Sequence, residues 1–161
     1  MTLTESPSLL VAGIGEMVLS SDPDARLVAY GLGSCVALAV WDPRTRVAGL
    51  AHFMLPSGPH NSGSPVKFID SGLDTFLDAI RASGAQLDRC SLKAAGAAAT
   101  LSLGGGLAIG MRNSESLQAA LAARGLTLTA TALGGNAGRT VQLEVGDGRF
   151  LVKGLSAVTE L

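Results

Sequence analysis

Apolar and polar positions divide the chain into a strand-rich first third, two helical stretches and a further set of strands. Leu9 to Ala12, Met17 to Leu19 and Leu27 to Tyr30 are short apolar runs, interrupted by Gly13, Gly15 and the Asp22-Pro23 turn, and they read as strands. Farther on, Ile69, Leu73, Phe76, Leu77 and Ile80 recur at helical spacing, and Gly84 stands where a left-handed C-terminal cap belongs. A second helix is expected to start with Asn113 or Ser114 as its N-cap, run through Leu117 and Leu121, and stop at Gly125. Leu126 to Ala132 alternates apolar residues with threonine in period two. Val141 to Val145 and Phe150 to Leu155 flank a Gly-Asp-Gly turn, as in a hairpin. Strands in runs, two main helices and no regular βαβ alternation predict an α+β fold, a sheet-layered α/β sandwich of mixed and antiparallel strands.

The segments Cys35 to Trp41 and Val47 to Leu55 are both continuously apolar, and Asp42-Pro43-Arg44-Thr45 between them has the composition of a type I turn. They predict a β-hairpin. If its loop is residues 42–45, Trp41 pairs with Arg46 and, counting back, Cys35 lies directly opposite His52. Directly opposed side chains share a face with Cβ atoms about 4.5 to 5.5 Å apart, close enough for a thiol and an imidazole to interact. The same register puts Ala37, Ala39, Ala48 and Leu50 on the Cys/His face and leaves Val36, Leu38, Val40, Val47 and Phe53 for the main core. A shorter or longer loop, or a bulge, would slip it.

Composition narrows the classes. At 161 residues the chain suits one domain over 1–161, with residues 1–8 expected to be disordered and the Gly/Ser/Pro-rich stretch 57–65 expected to be a mobile loop. Apolar residues make up 47% of the chain, yet the longest apolar stretches fall far short of the roughly 18 to 20 residues that span a bilayer. Twelve basic and thirteen acidic residues give a net charge of −1 without a basic cluster, so no nucleic-acid partner is expected. Met1 to Ser8 lacks the positive charge of a secretory signal, which points to the cytoplasm. Cys35 and Cys90 are the only cysteines, and neither sits at metal-ligand spacing. Two free thiols and no structural metal are the expectation.

Gly31-Leu32-Gly33-Ser34 precedes Cys35, and two glycines so close let the backbone turn and present N–H groups to a reacting oxygen. The N–H groups of Ser34 and Cys35 are the candidate oxyanion donors. As a phosphate loop the segment lacks the third glycine, the lysine and a following helix. Two plain explanations compete with a Cys35/His52 dyad: cysteine in an apolar strand is commonly inert core, and a lone histidine is commonly a satisfied structural side chain. Cys90 has no such partner and reads as core. His60 reads as a solvated loop residue.

With these features together, GLGSC at 31–35, WDP at 41–43 and GLAHFMLP at 49–56 closely resemble the chemoreceptor glutamine deamidase family, CheD. Ile14-Gly15-Glu16, Gly96-Ala97, Ile109 to Asn113, Gly134-Gly135-Asn136 and Gly138-Arg139-Thr140 extend the similarity over most of the chain. The resemblance implies hydrolysis of glutamine side-chain amides to glutamate on methyl-accepting chemoreceptors, with Cys35 as nucleophile, His52 as acid/base, a thioester intermediate and ammonia as product. No metal or organic cofactor is implied. It also implies an alternative role as a binding module for a CheC-type phosphatase, and a third reading as a thiol hydrolase of receptor methyl esters. One position departs from the family pattern. The hydroxyl residue, typically threonine, that supports the histidine from six positions before the cysteine is here Ala29; Ser34, Ser20, Ser21, a main-chain carbonyl or a water are the alternatives.

Overall fold

Two five-stranded sheets and two helices account for the regular structure in a computed structural model that describes residues 7–59, 63–99 and 106–161. The strands are β1 (Leu9–Val11), β2 (Met17–Ser20), β3 (Arg26–Leu32), β4 (Val36–Trp41), β5 (Ala48–Phe53), β6 (Ser91–Gly96), β7 (Ala130–Leu133), β8 (Arg139–Glu144), β9 (Phe150–Lys153) and β10 (Val158–Glu160). The helices are α1 (Ile69–Ala82) and α2 (Gly106–Ala123). One sheet has the order β1-β3-β8-β9-β10 and the other β2-β5-β4-β6-β7. Both are mixed: β1 runs parallel to β3 and β6 parallel to β7, while the other pairs are antiparallel. The α+β sandwich expected from the pattern is what forms.

Alternation along β4 decides the layering. Val36, Leu38 and Val40, with Phe53 of β5, pack under Ile69, Leu73, Phe76, Leu77 and Ile80 of α1 and Leu117 and Leu121 of α2. Their neighbours Ala37, Ala39, Ala48, Leu50 and Ala95 face the other way, onto Leu27, Ala29, Val141, Leu143 and Phe150 of the first sheet. The second sheet is therefore buried on both faces, which is why its strands read as unbroken apolar runs. Alanines on the sheet-to-sheet face permit close approach, and the large side chains fill the helix layer. Trp41 ties the sheets at one end by donating its Nε1–H to the Val145 carbonyl at 2.8 Å.

The hairpin forms with a register displaced by two residues from the expected one. Ala37, not Cys35, lies opposite His52, and Trp41 lies opposite Ala48. The cause is Asp42, whose carboxylate accepts the N–H groups of Arg44 (2.9 Å) and Thr45 (3.5 Å) as a helix cap would. Asp42 thereby closes the loop with Val47 instead of belonging to it, and Arg46 takes a left-handed φ of 59°. An even displacement keeps side chains on their faces, so the division between the Cys/His face and the main core stands as expected.

Two further boundaries differ. Helix α2 begins at Gly106, well before Asn113, because Gly110 is a helix residue selected by contact: a Cβ there would lie 2.6 Å from the Ala98 carbonyl oxygen. Asn113 is thus interior to the helix, not its cap. The alternating Leu126 to Ala132 stretch is a strand only from Ala130, since Leu126 and Leu128 pack on the helix-layer core before the chain joins the sheet. The α1 helix and its Gly84 terminus, with φ 103°, and the Gly146-Asp147-Gly148 hairpin lie where expected. Residues 1–6 and 60–62, on which part of the expected disorder, the tip of the expected mobile loop and His60 fall, lie outside the described residues.

Candidate active site

Because β1 and β3 are parallel neighbours, their C-terminal ends lie at the same end of the sandwich, and from that end each chain crosses to the second sheet. The β1 crossing runs through Ala12-Gly13-Ile14-Gly15 into β2. The β3 crossing runs through Gly33-Ser34-Cys35 into β4. Gly31 makes the second crossing possible. It has φ 62° at a break in the β3–β8 register between Ala29 and Leu32, a bulge that bends the strand out of its sheet. Cys35 is the last residue before the strand ladder of β4 begins.

His52 enters the same end from β5. Its backbone is fixed by the residues just before β2, with the His52 N–H donating to Glu16 at 3.0 Å and the His52 carbonyl accepting from Gly15 at 2.9 Å. The ring, 2% exposed, points into the layer between the sheets, where its Nδ1 lies 3.0 Å from the Ala12 carbonyl oxygen. A carbonyl only accepts, so Nδ1 carries the proton and Nε2 carries the lone pair. Among the described residues that Nε2 is buried without a hydrogen-bond partner.

Cys35 packs on this same face, two residues before Ala37, which opposes the histidine, but it lies just outside the β4–β5 ladder and its sulfur makes no direct hydrogen bond with Nε2. Cys35 is half-buried, and burial pushes its thiol pKa up, partly offset by the dipole of its own backbone N–H. Burial likewise pulls His52 down, while the Ala12 carbonyl and the charge of Glu16 pull in the opposite direction. Both shifts favour a resting pair of neutral thiol and neutral imidazole over an ion pair.

The backbone on the far side of Cys35 is also constrained. The Cys35 carbonyl accepts the Ala97 N–H at 2.7 Å, and the Gly33 carbonyl accepts the Ala98 N–H at 2.8 Å. Gly96 (φ 108°) and Ala97 (φ 54°) are both left-handed, and a Cβ on Gly96 would collide with the Cys35 carbonyl oxygen. Beside this end, Leu55, Pro56 and Ser57 face Ile109, Arg112, Glu115, Ser116 and Ala119 of α2 across an open groove of about 570 Å³.

Of the residues singled out from sequence, Cys35, His52 and Ser34 lie at this same end of the sandwich, without a hydrogen bond between the thiol and His52 Nε2. Cys90 is a second free thiol, outside the site, donating to the Gln86 carbonyl at 3.1 Å, with burial pushing its pKa up to about 11. Among the possible supports for His52, the main-chain carbonyl of Ala12 takes the position; Ser20 is four residues along the β2–β5 ladder, opposite Ala48, and caps the Asp22 N–H. Sequence reasoning offered a main-chain carbonyl without identifying Ala12, because every residue has one. It missed Asn113, whose signal was an amide on the buried side of a helical pattern. No group of three or more His, Cys, Asp or Glu placed to hold a metal occurs among the described residues.

A two-sheet α+β sandwich with a cysteine and a histidine on one buried face at its open end defines the structural class. Comparison with known proteins then gives the family. The profile described as CheD chemotactic sensory transduction matches residues 54–154. A protein of Symbiobacterium thermophilum named probable chemoreceptor glutamine deamidase CheD is 42% identical, covering 89% of this chain and 91% of its own length. The chemoreceptor glutamine deamidase CheD of Thermotoga maritima is 36% identical over 89% of this chain and 90% of its own. A probable chemoreceptor glutamine deamidase of Haloarcula marismortui is 37% identical over 92% and 86%. The chain belongs to the CheD family. The profile match begins two residues after His52, but Cys35 and His52 each lie more than a fifth of the chain from either end, so matches spanning nine-tenths of it include both.

Proposed function

We propose that this protein is a chemoreceptor glutamine deamidase, which hydrolyses glutamine side-chain amides of methyl-accepting chemoreceptors to glutamate and releases ammonia. The observation that carries the reading is the His52 ring: its Nδ1–H is committed to Ala12, and its Nε2 lone pair is buried, on the Cys35 face and without a hydrogen-bond partner among the described residues. An amide is a weak electrophile with a poor leaving group, so it needs a thiolate, a proton for departing nitrogen and a stabilised oxyanion. Cys35 Sγ attacks the glutamine Cδ as Nε2 takes the thiol proton. The tetrahedral oxyanion is received by the N–H groups of Ser34 and Cys35, neither of which donates to a backbone carbonyl in the loop hydrogen bonds of the described residues. Nε2 then protonates the leaving nitrogen, ammonia departs and a thioester remains. Water, deprotonated by the same Nε2, cleaves the thioester to carboxylate and thiol.

In this reading a substrate glutamine presented on a helix approaches along the groove between residues 55–57 and α2, and the reaction takes place in the cytoplasm, where receptor signalling domains lie. The loss of the family threonine at Ala29 does not disarm His52 in this reading, because the Ala12 carbonyl already holds Nδ1. Ammonia release from a purified receptor fragment tests the proposal. It should occur with the wild type and vanish with Cys35→Ala; equal release by both would end the enzymatic reading in favour of binding to a CheC-type phosphatase. Methanol in place of ammonia would identify a methyl-ester hydrolase.

A further inference from the structure

Asn113 is the one asparagine or glutamine side chain fully buried among the described residues. It projects from the middle of α2 into the site's end of the sandwich and donates both N–H bonds of its Nδ2, to the Ser34 carbonyl at 2.8 Å and to the Met54 carbonyl at 2.9 Å. The amide cannot be turned over, since that would set its oxygen against two acceptors. Its own Oδ1 is buried without a partner among the described residues. A stranded oxygen offsets much of what two hydrogen bonds contribute to stability, so the principal effect of the residue is geometric.

That geometry bears on Cys35. The Ser34 carbonyl and the Cys35 N–H belong to one trans peptide plane and point in opposite directions. Anchoring the carbonyl to Asn113 therefore aims the Cys35 N–H. Attack by the sulfur creates the oxyanion one bond from the carbon it joins, beside the same N–H. The second bond, to Met54, ties the segment that follows His52 to the same point on α2.

We propose that Asn113 is a positioning residue for amide hydrolysis, holding the Ser34–Cys35 peptide so that the Cys35 N–H meets the developing oxyanion. This rests on the deamidase reading above. It is tested in the full chain with Asn113→Ala and with the nearly isosteric Asn113→Asp, whose folding is checked by thermal unfolding. Two rates are measured: ammonia release from a receptor fragment, and alkylation of Cys35 by iodoacetamide read from peptide masses. Alkylation is a displacement at a saturated carbon and forms no oxyanion. The expected result is a kcat about 100-fold lower with KM and the Cys35 alkylation rate unchanged. Undiminished kcat, or alkylation and KM deteriorating together with kcat, overturns the proposal, and so does failure of both variants to fold, which would assign Asn113 to the fold alone. A wild type that releases no ammonia overturns the deamidase reading itself, and this inference with it.

Discussion

The Nδ1 of His52, on a strand of the second sheet, lies 3.0 Å from the carbonyl oxygen of Ala12, which follows the edge strand β1 of the first. One hydrogen bond thus joins the layers and chooses the tautomer. The prediction is that the ring carries its proton on Nδ1. Long-range proton–nitrogen NMR correlations on labelled protein should give a protonated Nδ1 and a bare Nε2 at neutral pH; the reverse pattern would remove the base from the proposed reaction.

If that carbonyl supports His52, restoring a hydroxyl at position 29 should gain nothing. Ala29 is wholly buried between the sheets, and Ala29→Thr adds volume and a polar group to a packed layer. The expected outcome is kcat unchanged with stability lowered by about 1–3 kcal/mol, measured by urea unfolding beside an ammonia assay. A large gain in kcat would mean that the carbonyl is an inadequate partner.

The pH dependence follows from burial. The Cys35 thiol is raised and His52 is lowered, both chiefly by desolvation. Raising pH deprotonates the thiol, so alkylation of Cys35 should climb through the alkaline range without a plateau near neutrality. A plateau already reached at about pH 6 would signal a resting thiolate–imidazolium pair. His52 acts as a base only when neutral, and its pKa is lowered, so the acidic limb of deamidation should fall below about pH 6.5, the ordinary histidine value.

How much of this was legible in the sequence depends on the kind of contact. Period two in β4 and β5 and period 3.6 in α1 disclosed the faces, because a residue's face follows from parity alone. The hairpin register was not legible, because it turned on whether Asp42 uses its side chain as a cap or its backbone as a turn corner. An error of two residues left Cys35 and His52 on one face; an error of one would have separated them. Asn113 was misplaced because Gly106 and Gly110 look like loop, and only the carbonyls of Ala97 and Ala98 against Gly110 explain why a helix needs a glycine there.

Asp42 gives a stability prediction separate from the site. Its buried carboxylate accepts Nε–H of Arg89 at 2.8 Å and the Gln86 N–H at 3.0 Å, linking the hairpin to the turn before β6. The Arg89 guanidinium holds the carboxyl well below the usual carboxylate range, against the upward push of burial, with the N–H groups of Arg44, Gln86 and Thr45 assisting. A lowered carboxyl pKa stabilises the fold fully above its unfolded value, about 3.9, and progressively less as pH falls below it. Asp42→Ala should cost about 3 kcal/mol at pH 7, and the gap to wild type should narrow below about pH 4. A gap that stays constant down to pH 2 would contradict the assignment.

Gly96→Ala probes the backbone behind the nucleophile. With φ 108° and a Cβ driven into the Cys35 carbonyl oxygen, it should cost about 1–3 kcal/mol from backbone strain alone and displace the Ala97 N–H to Cys35 bond. Deamidation should fall more than stability accounts for. Wild-type activity in a folded variant would show that this turn does not place Cys35.

The central claim is that Cys35, served by His52, converts receptor glutamine to glutamate, and intact-mass spectrometry of a receptor cytoplasmic fragment tests it most directly. Incubation with the wild type should add about one dalton per modified glutamine, as an amide becomes an acid, and incubation with Cys35→Ala or His52→Ala should add nothing. A mass gain that persists in the Cys35→Ala sample, or no gain with the wild type, would contradict the account.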